Sequence, residues 1–127
     1  MSFATGVVAH LRAQHHLVGE FGPASTPHEH TYRVVATVHG AALKLDGTLI
    51  DITIVERALA AALADLEGRD LNAIAALADP NPTAEVVARY LFDRVSPALP
   101  NADVDRLTIE VWESDSAFAS YSATLRT

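Results

Sequence analysis

The chain carries six histidines and no cysteine, and three of the histidines are spaced to share one metal ion. His28 and His30 flank Glu29. In an extended strand alternate side chains share a face and stand about 6.5–7 Å apart, so these two imidazoles can converge on a single ion. A third ligand must come from a neighbouring strand, because catalytic zinc takes three protein ligands and keeps a fourth position for water or substrate. His15 can supply it. Val7, Ala9, Leu11, Ala13 and His15 share one parity, opposite the polar series His10, Arg12, Gln14 and His16. Tyr32, Val34, Ala36 and Val38 share parity with His28 and His30, whereas Thr31, Arg33 and Thr37 fall on the other face. Histidines on apolar faces also serve as hydrogen-bonded core residues, and an H-x-H pair fits that role too. His10, His16 and His39 are read as surface residues, with His16 adjoining the site closely enough to move a proton.

Two strands joined by the turn-rich stretch Gly19-Glu20-Phe21-Gly22-Pro23-Ala24-Ser25-Thr26-Pro27 must pair antiparallel to bring His15 beside the other two. Gly40 and Gly47 mark the next turn. Thr53 with Glu56 forms a capping-box pattern that places a helix start near Thr53, and Ile52, Val55, Leu59, Leu63 and Leu66 give it one buried stripe up to a stop at Gly68. A second helix is expected after Asp79-Pro80-Asn81-Pro82, with Thr83 as N-cap, Glu85 in the first turn and a stripe of Val87, Tyr90, Leu91, Arg94 and Val95. Alternation returns at Leu107, Ile109 and Val111, and a last strand runs from about Phe118 to Leu125. The order β-β-α-α-β-β predicts an α+β fold, a four-stranded antiparallel sheet with both helices on one face. Glu113 continues the inward parity of Leu107, Ile109 and Val111. Its carboxylate is either solvated at the strand end or aimed at a ligand, where it could accept two parallel N–H bonds from an amidine-like heterocycle edge.

Bulk properties narrow the function. A length of 127 residues with half of them apolar suits one domain, residues 1–127, with a single core. A net charge of −7 without a basic cluster argues against nucleic-acid or anionic-membrane partners. No apolar run approaches a membrane span, and Met1-Ser2-Phe3-Ala4-Thr5 does not open a signal sequence, so a cytoplasmic protein is expected. The lack of cysteine removes disulfides, thiolate ligands and cysteine nucleophiles together.

Five segments in order resemble the 6-pyruvoyl-tetrahydropterin synthase family, which includes the bacterial 6-carboxytetrahydropterin synthases, from about Leu11 to Tyr121. Arg12-Ala13-Gln14-His15-His16-Leu17 is similar to the family's first-ligand segment, and His28-Glu29-His30-Thr31-Tyr32 to its H-G-H pair with Glu29 in place of glycine. Gly47-Thr48-Leu49-Ile50-Asp51, Asn81-Pro82-Thr83-Ala84-Glu85 and Val111-Trp112-Glu113-Ser114 resemble its first-helix, second-helix and pterin-anchoring segments. The resemblance implies a T-fold whose trimers close their sheets into a barrel and stack into hexamers, with sites between subunits. It also implies zinc (Zn2+) on His15, His28 and His30, a pterin-like substrate gripped by Glu113 with Thr83 nearby, and lyase chemistry. Two departures stand out. The family places a catalytic cysteine where this chain has Pro23-Ala24-Ser25-Thr26-Pro27, and its L-D-H-x-x-L-N segment aligns with Leu66-Glu67-Gly68-Arg69-Asp70-Leu71-Asn72. Glycine and alanine move no protons, and a missing base costs about 10²- to 10⁴-fold. Replacement bases are Glu20, Glu67 and Asp70, with Glu29 turned away from the metal by strand alternation and Asp70 equally suited to capping. The implied functions are a zinc-dependent synthase-like lyase using a non-cysteine route, a non-catalytic pterin- or purine-like ligand binder, or an enzyme repurposed in specialised metabolism.

Overall fold

The computed structural model describes residues 2–125. Four strands form one antiparallel sheet in the order β1-β2-β3-β4: β1 Phe3–His15, β2 His28–Gly40, β3 Arg106–Trp112 and β4 Phe118–Thr124. Between β2 and β3 lie α1 Ile52–Ala64, the single-turn α2 Ala75–Ala78 and α3 Ala84–Val95. The expected α+β arrangement of strands and two long helices is present, with α2 and a 3-10 turn at Leu71–Ala73 added between them.

Alternation explains why the sheet has one dry face. Leu11 and Ala13 of β1, Tyr32, Val34, Ala36 and Val38 of β2, and Leu107, Ile109 and Val111 of β3 are buried, and the intervening residues are more accessible. The register sets these residues side by side, with Leu11 opposite Tyr32, Val34 opposite Val111 and Ala36 opposite Ile109. The helices cover this face through Val55, Leu59 and Leu63 of α1 and Val87, Ala88, Leu91 and Val95 of α3.

Local chemistry places the helix ends differently from the capping-box reading. Asp51 is the N-cap of α1, accepting from the Thr53 N–H at 3.0 Å and from its hydroxyl at 2.7 Å, because the aspartate, two residues before Thr53, reaches the first free N–H groups. These bonds, the hydroxyl's foremost, hold the Asp51 carboxyl below the usual carboxylate range. Helix α1 ends at Ala64, short of Gly68, which adopts φ +73 in the turn that follows. Leu66 is buried beyond the helix end. In α3, Thr83 caps as expected, its hydroxyl accepting from Val86 N–H at 3.2 Å. Arg94 is exposed and lies 3.4 Å from Asp65 instead of joining the stripe, a place taken by the smaller Ala84 and Ala88. Gly40 is required where β2 ends, since a Cβ there would sit 2.6 Å from the Asp103 carbonyl.

Candidate metal centre and substrate site

β1 ends at His15 and β2 begins at His28, and the two residues face each other in the register. Ala13 is opposite His30, so the ladder carries all three imidazoles to one end of the dry face. Ring centroids are 4.6 Å apart for His15 and His28, 5.0 Å for His15 and His30, and 4.8 Å for His28 and His30. One nitrogen from each ring lies within 4.8 Å of the other two.

The other side of the rings is tied to carbonyl oxygens. His15 Nδ1 lies 2.7 Å from the Pro82 carbonyl and His28 Nδ1 2.8 Å from the Thr26 carbonyl. A carbonyl only accepts, so each Nδ1 carries the proton and Nε2 keeps its lone pair free in the neutral ring. Imidazoles fixed in this way suit a transition-metal ion, because a carbonyl on the far nitrogen sets the tautomer and orients the ring. This donor set fits the expected metal role.

His15 is 3% exposed, and His28 and His30 are half-buried. Burial pushes the His30 pKa below the ordinary histidine value, the Glu113 carboxylate opposes this, and His15 and His28 reinforce it. His30 is therefore neutral near pH 7, the form a metal requires. Tyr32 packs behind the triad with its ring 5.1 Å from His30 and 6.1 Å from His15. Burial first, and then the Glu113 charge, raise the Tyr32 pKa, so the phenol stays protonated.

Glu113 follows the last residue of β3 and is half-buried, its N–H donating to the Ala117 carbonyl at 3.0 Å. Its charge acts on both His30 and Tyr32, the rings at the inner end of the histidine cluster. Thr83 adjoins Pro82, the residue whose carbonyl holds His15. The structure thus gathers His15, His28, His30 and Glu113, with Thr83 next to the support.

The acidic candidates lie elsewhere. Glu20 is exposed in the connection between β1 and β2. Glu67 accepts the Arg12 backbone N–H at 3.1 Å, and Asp70 accepts the Asn72 N–H at 3.0 Å as the cap of the 3-10 turn. Glu29 points to the opposite sheet face, 3.7 Å from Arg12. His10 is exposed as expected, whereas His16 and His39 are half-buried, and His39 Nδ1 is enclosed without a hydrogen-bond partner among the described residues. Sequence patterning missed the Pro82 carbonyl and the side chains of Asn72 and Asn81, which bond to the chain just after His15. Two asparagines in turn segments gave only a generic signal.

Comparison with known proteins finds the same fold in solved structures. A Caenorhabditis elegans 6-pyruvoyl tetrahydropterin synthase superposes with a TM-score of 0.80 at 20% identity, over 97% of this chain and 96% of that one. The Plasmodium falciparum 6-pyruvoyl tetrahydropterin synthase gives 0.78 at 17% identity, covering 97% and 98%. A Plasmodium vivax 6-pyruvoyltetrahydropterin synthase, in a mutant with a catalytic glutamate replaced by alanine, gives 0.75 at 14% identity, covering 98% and 99%. A sequence search of curated proteins gives no match. The family profile described as 6-pyruvoyl tetrahydropterin synthase matches residues 6–124, nearly the whole chain, and with the T-fold and its histidine cluster this shows that the chain belongs to the 6-pyruvoyl tetrahydropterin synthase family.

Proposed function

We propose that the protein is a zinc-dependent lyase that acts on a pterin or related heterocycle by a route without cysteine. The observation that carries this reading is the convergence of His15, His28 and His30, the first two with Nδ1 held by a backbone carbonyl, within reach of the Glu113 charge. Zinc bound there would supply Lewis-acid polarisation of side-chain hydroxyl or carbonyl oxygens. Glu113 would orient the substrate by accepting two parallel N–H bonds from an aminopyrimidine edge, and Thr83 would line the same pocket. The proton-removing group is Glu20, the single acidic residue of the connection between the ligand strands. Glu67 and Asp70 are the weaker alternatives, since both carboxylates already accept backbone N–H bonds. A catalytic glutamate in the Plasmodium vivax relative supports a carboxylate in this role. The working form is a cytoplasmic homo-oligomer, a trimer or hexamer, with its sites between subunits.

Metal analysis of unstripped protein, with His28→Ala beside it, tests the centre: stoichiometric zinc is expected in the wild type and its loss in the variant. Substoichiometric zinc in the wild type would sink the metal role. Incubation with dihydroneopterin triphosphate and with dihydroneopterin, followed by product analysis, tests the chemistry, and turnover should disappear in His15→Ala. A second reading, a pterin- or purine-like ligand binder without catalysis, is favoured by Gly68 and by the lack of cysteine. Tight pterin binding with no product in zinc-loaded protein would select it. A product from some other small molecule would instead indicate a repurposed enzyme of specialised metabolism.

A further inference from the structure

β1 leaves its pairing with β2 at His15, yet its other edge stays bonded for several residues more. Four successive rungs close that edge, and all lie on the parity of Arg12, Gln14, His16 and Val18. The first two are backbone bonds, Gly68 N–H to the Arg12 carbonyl at 2.7 Å and Gln14 N–H to the Arg69 carbonyl at 3.0 Å. Beyond them the partner segment turns away at Asp70, where the 3-10 turn begins. The next two rungs are side chains. Asn72 accepts the His16 N–H at 2.9 Å and donates to the His16 carbonyl at 3.0 Å. Asn81 does the same for Val18, at 2.7 Å and 3.3 Å. A primary amide offers the same acceptor and donor pair as a peptide group, so each asparagine stands in for a missing strand residue.

We infer that Asn72 and Asn81 are positioning residues for the ligand His15, holding the chain that follows it and the Pro82 carbonyl that fixes its imidazole. This inference rests on reading the three histidines as a metal centre. His15 sits between the Gln14 and His16 rungs, so its Cα is fixed from β2 on one side and from the seam on the other. Asn81 precedes Pro82, and the Asn81 carbonyl accepts the Thr83 N–H at 2.9 Å. The turn is thereby tied to Val18 by one side chain and to the start of α3 by its backbone. Its buried middle residue presents the carbonyl that takes His15 Nδ1–H at 2.7 Å. Losing the Asn81 rung frees that carbonyl, and the imidazole then loses the partner that keeps its proton on Nδ1. Partners of this kind, acting through a ligand, alter metal affinity by about 10- to 100-fold.

The test uses the full chain with Asn72→Ala, Asn81→Ala and the control Ser25→Ala, whose hydroxyl bonds Gly19 and Phe21 in the same connection without joining a rung. In metal-free protein at pH 8, nitrogen NMR of the His15 ring should show the Nδ1–H tautomer in wild type and Ser25→Ala. Asn81→Ala should show a mixture or the Nε2–H form. Zinc competition against a chromogenic chelator should show about 10- to 100-fold weaker binding in both asparagine variants, and an unchanged constant in the control. If an alanine variant does not fold, aspartate at the same position serves, since it keeps the acceptor but sets a carboxylate against the strand carbonyl. Wild-type tautomer and zinc affinity within twofold in folded asparagine variants would overturn the inference, because a merely structural tie would lower thermal stability alone. A wild type that binds no zinc, yet whose tautomer responds to Asn81→Ala, would refute the metal reading and leave the positioning of His15 standing.

Discussion

At the residue scale, the surroundings of one histidine of the cluster set its charge. His30 is pulled toward the neutral form mainly by burial, against the Glu113 charge. Its pKa lies below the ordinary value of 6.5, so on acidification the unfolded chain takes up this proton before the native one. Stability is then full above that value and falls as the pH drops through it. Metal-free protein should lose thermal stability below about pH 6.5, and the loss should be smaller in His30→Gln. Parallel pH profiles of the two proteins would rule the linkage out. Zinc affinity should fall over the same acidic range, because three imidazoles must be unprotonated to bind; direct titration at stepped pH checks this. The clustering of His15, His28 and His30 was legible from parity alone, since each continues an apolar register. The supporting carbonyls of His15 and His28, from Pro82 and Thr26, carry no side-chain signature that a sequence could reveal.

At the element scale, the site depends on where two strands and one helix stop and start. β1 ends and β2 begins on opposed histidines, and the start of α3 brings Pro82 against His15. Thr83 links the two, capping α3 through the Val86 N–H while following Pro82 in the chain. Thr83→Ala should lower folding stability by about 1 kcal/mol in urea denaturation, with Thr83→Ser restoring most of it. An unaltered midpoint for the alanine variant would show that water replaces the cap at no cost. Both long helices were legible from their apolar spacing, and the Thr83 cap from residue type. The start of α1 was legible to within a residue, but its cap is Asp51 where the pattern pointed to Thr53, because both suit an N-cap and only the three-dimensional course of the chain decides which oxygen meets the free N–H. The buried stripe of α3 includes Ala88 and excludes Arg94, which is exposed beside Asp65.

At the scale of the whole molecule, the sheet is covered on one side only. Its other face bears Arg33 stacked 4.5 Å from the Trp112 ring and Trp112 stacked 4.2 Å from Phe118, with Val8 and Phe118 each 54% exposed. The seam closes the edge of β1 from Arg12 onward, while the edge from Phe3 to Leu11 and the outer edge of β4 have no strand beside them among the described residues. Open edges of this length pair readily with another chain. Light scattering is expected to give a trimer or hexamer of the 13.5 kDa chain, and a monomer at micromolar concentration would reject the oligomeric proposal. Among the described residues no helix is long and apolar enough to cross a membrane. The sequence by itself determined the strand and helix order, the dry face and the shared face of the three histidines, because period-2 and period-3.6 patterns are local consequences of backbone geometry. Only the tertiary structure decided that Glu67 and Asp70 bond to the backbone beside β1, that Glu113 lies against His30, and that Asn72 and Asn81 complete the edge behind His15. Those pairings join residues far apart in the chain, and a hydrogen bond exists only where the fold brings donor and acceptor within about 3 Å.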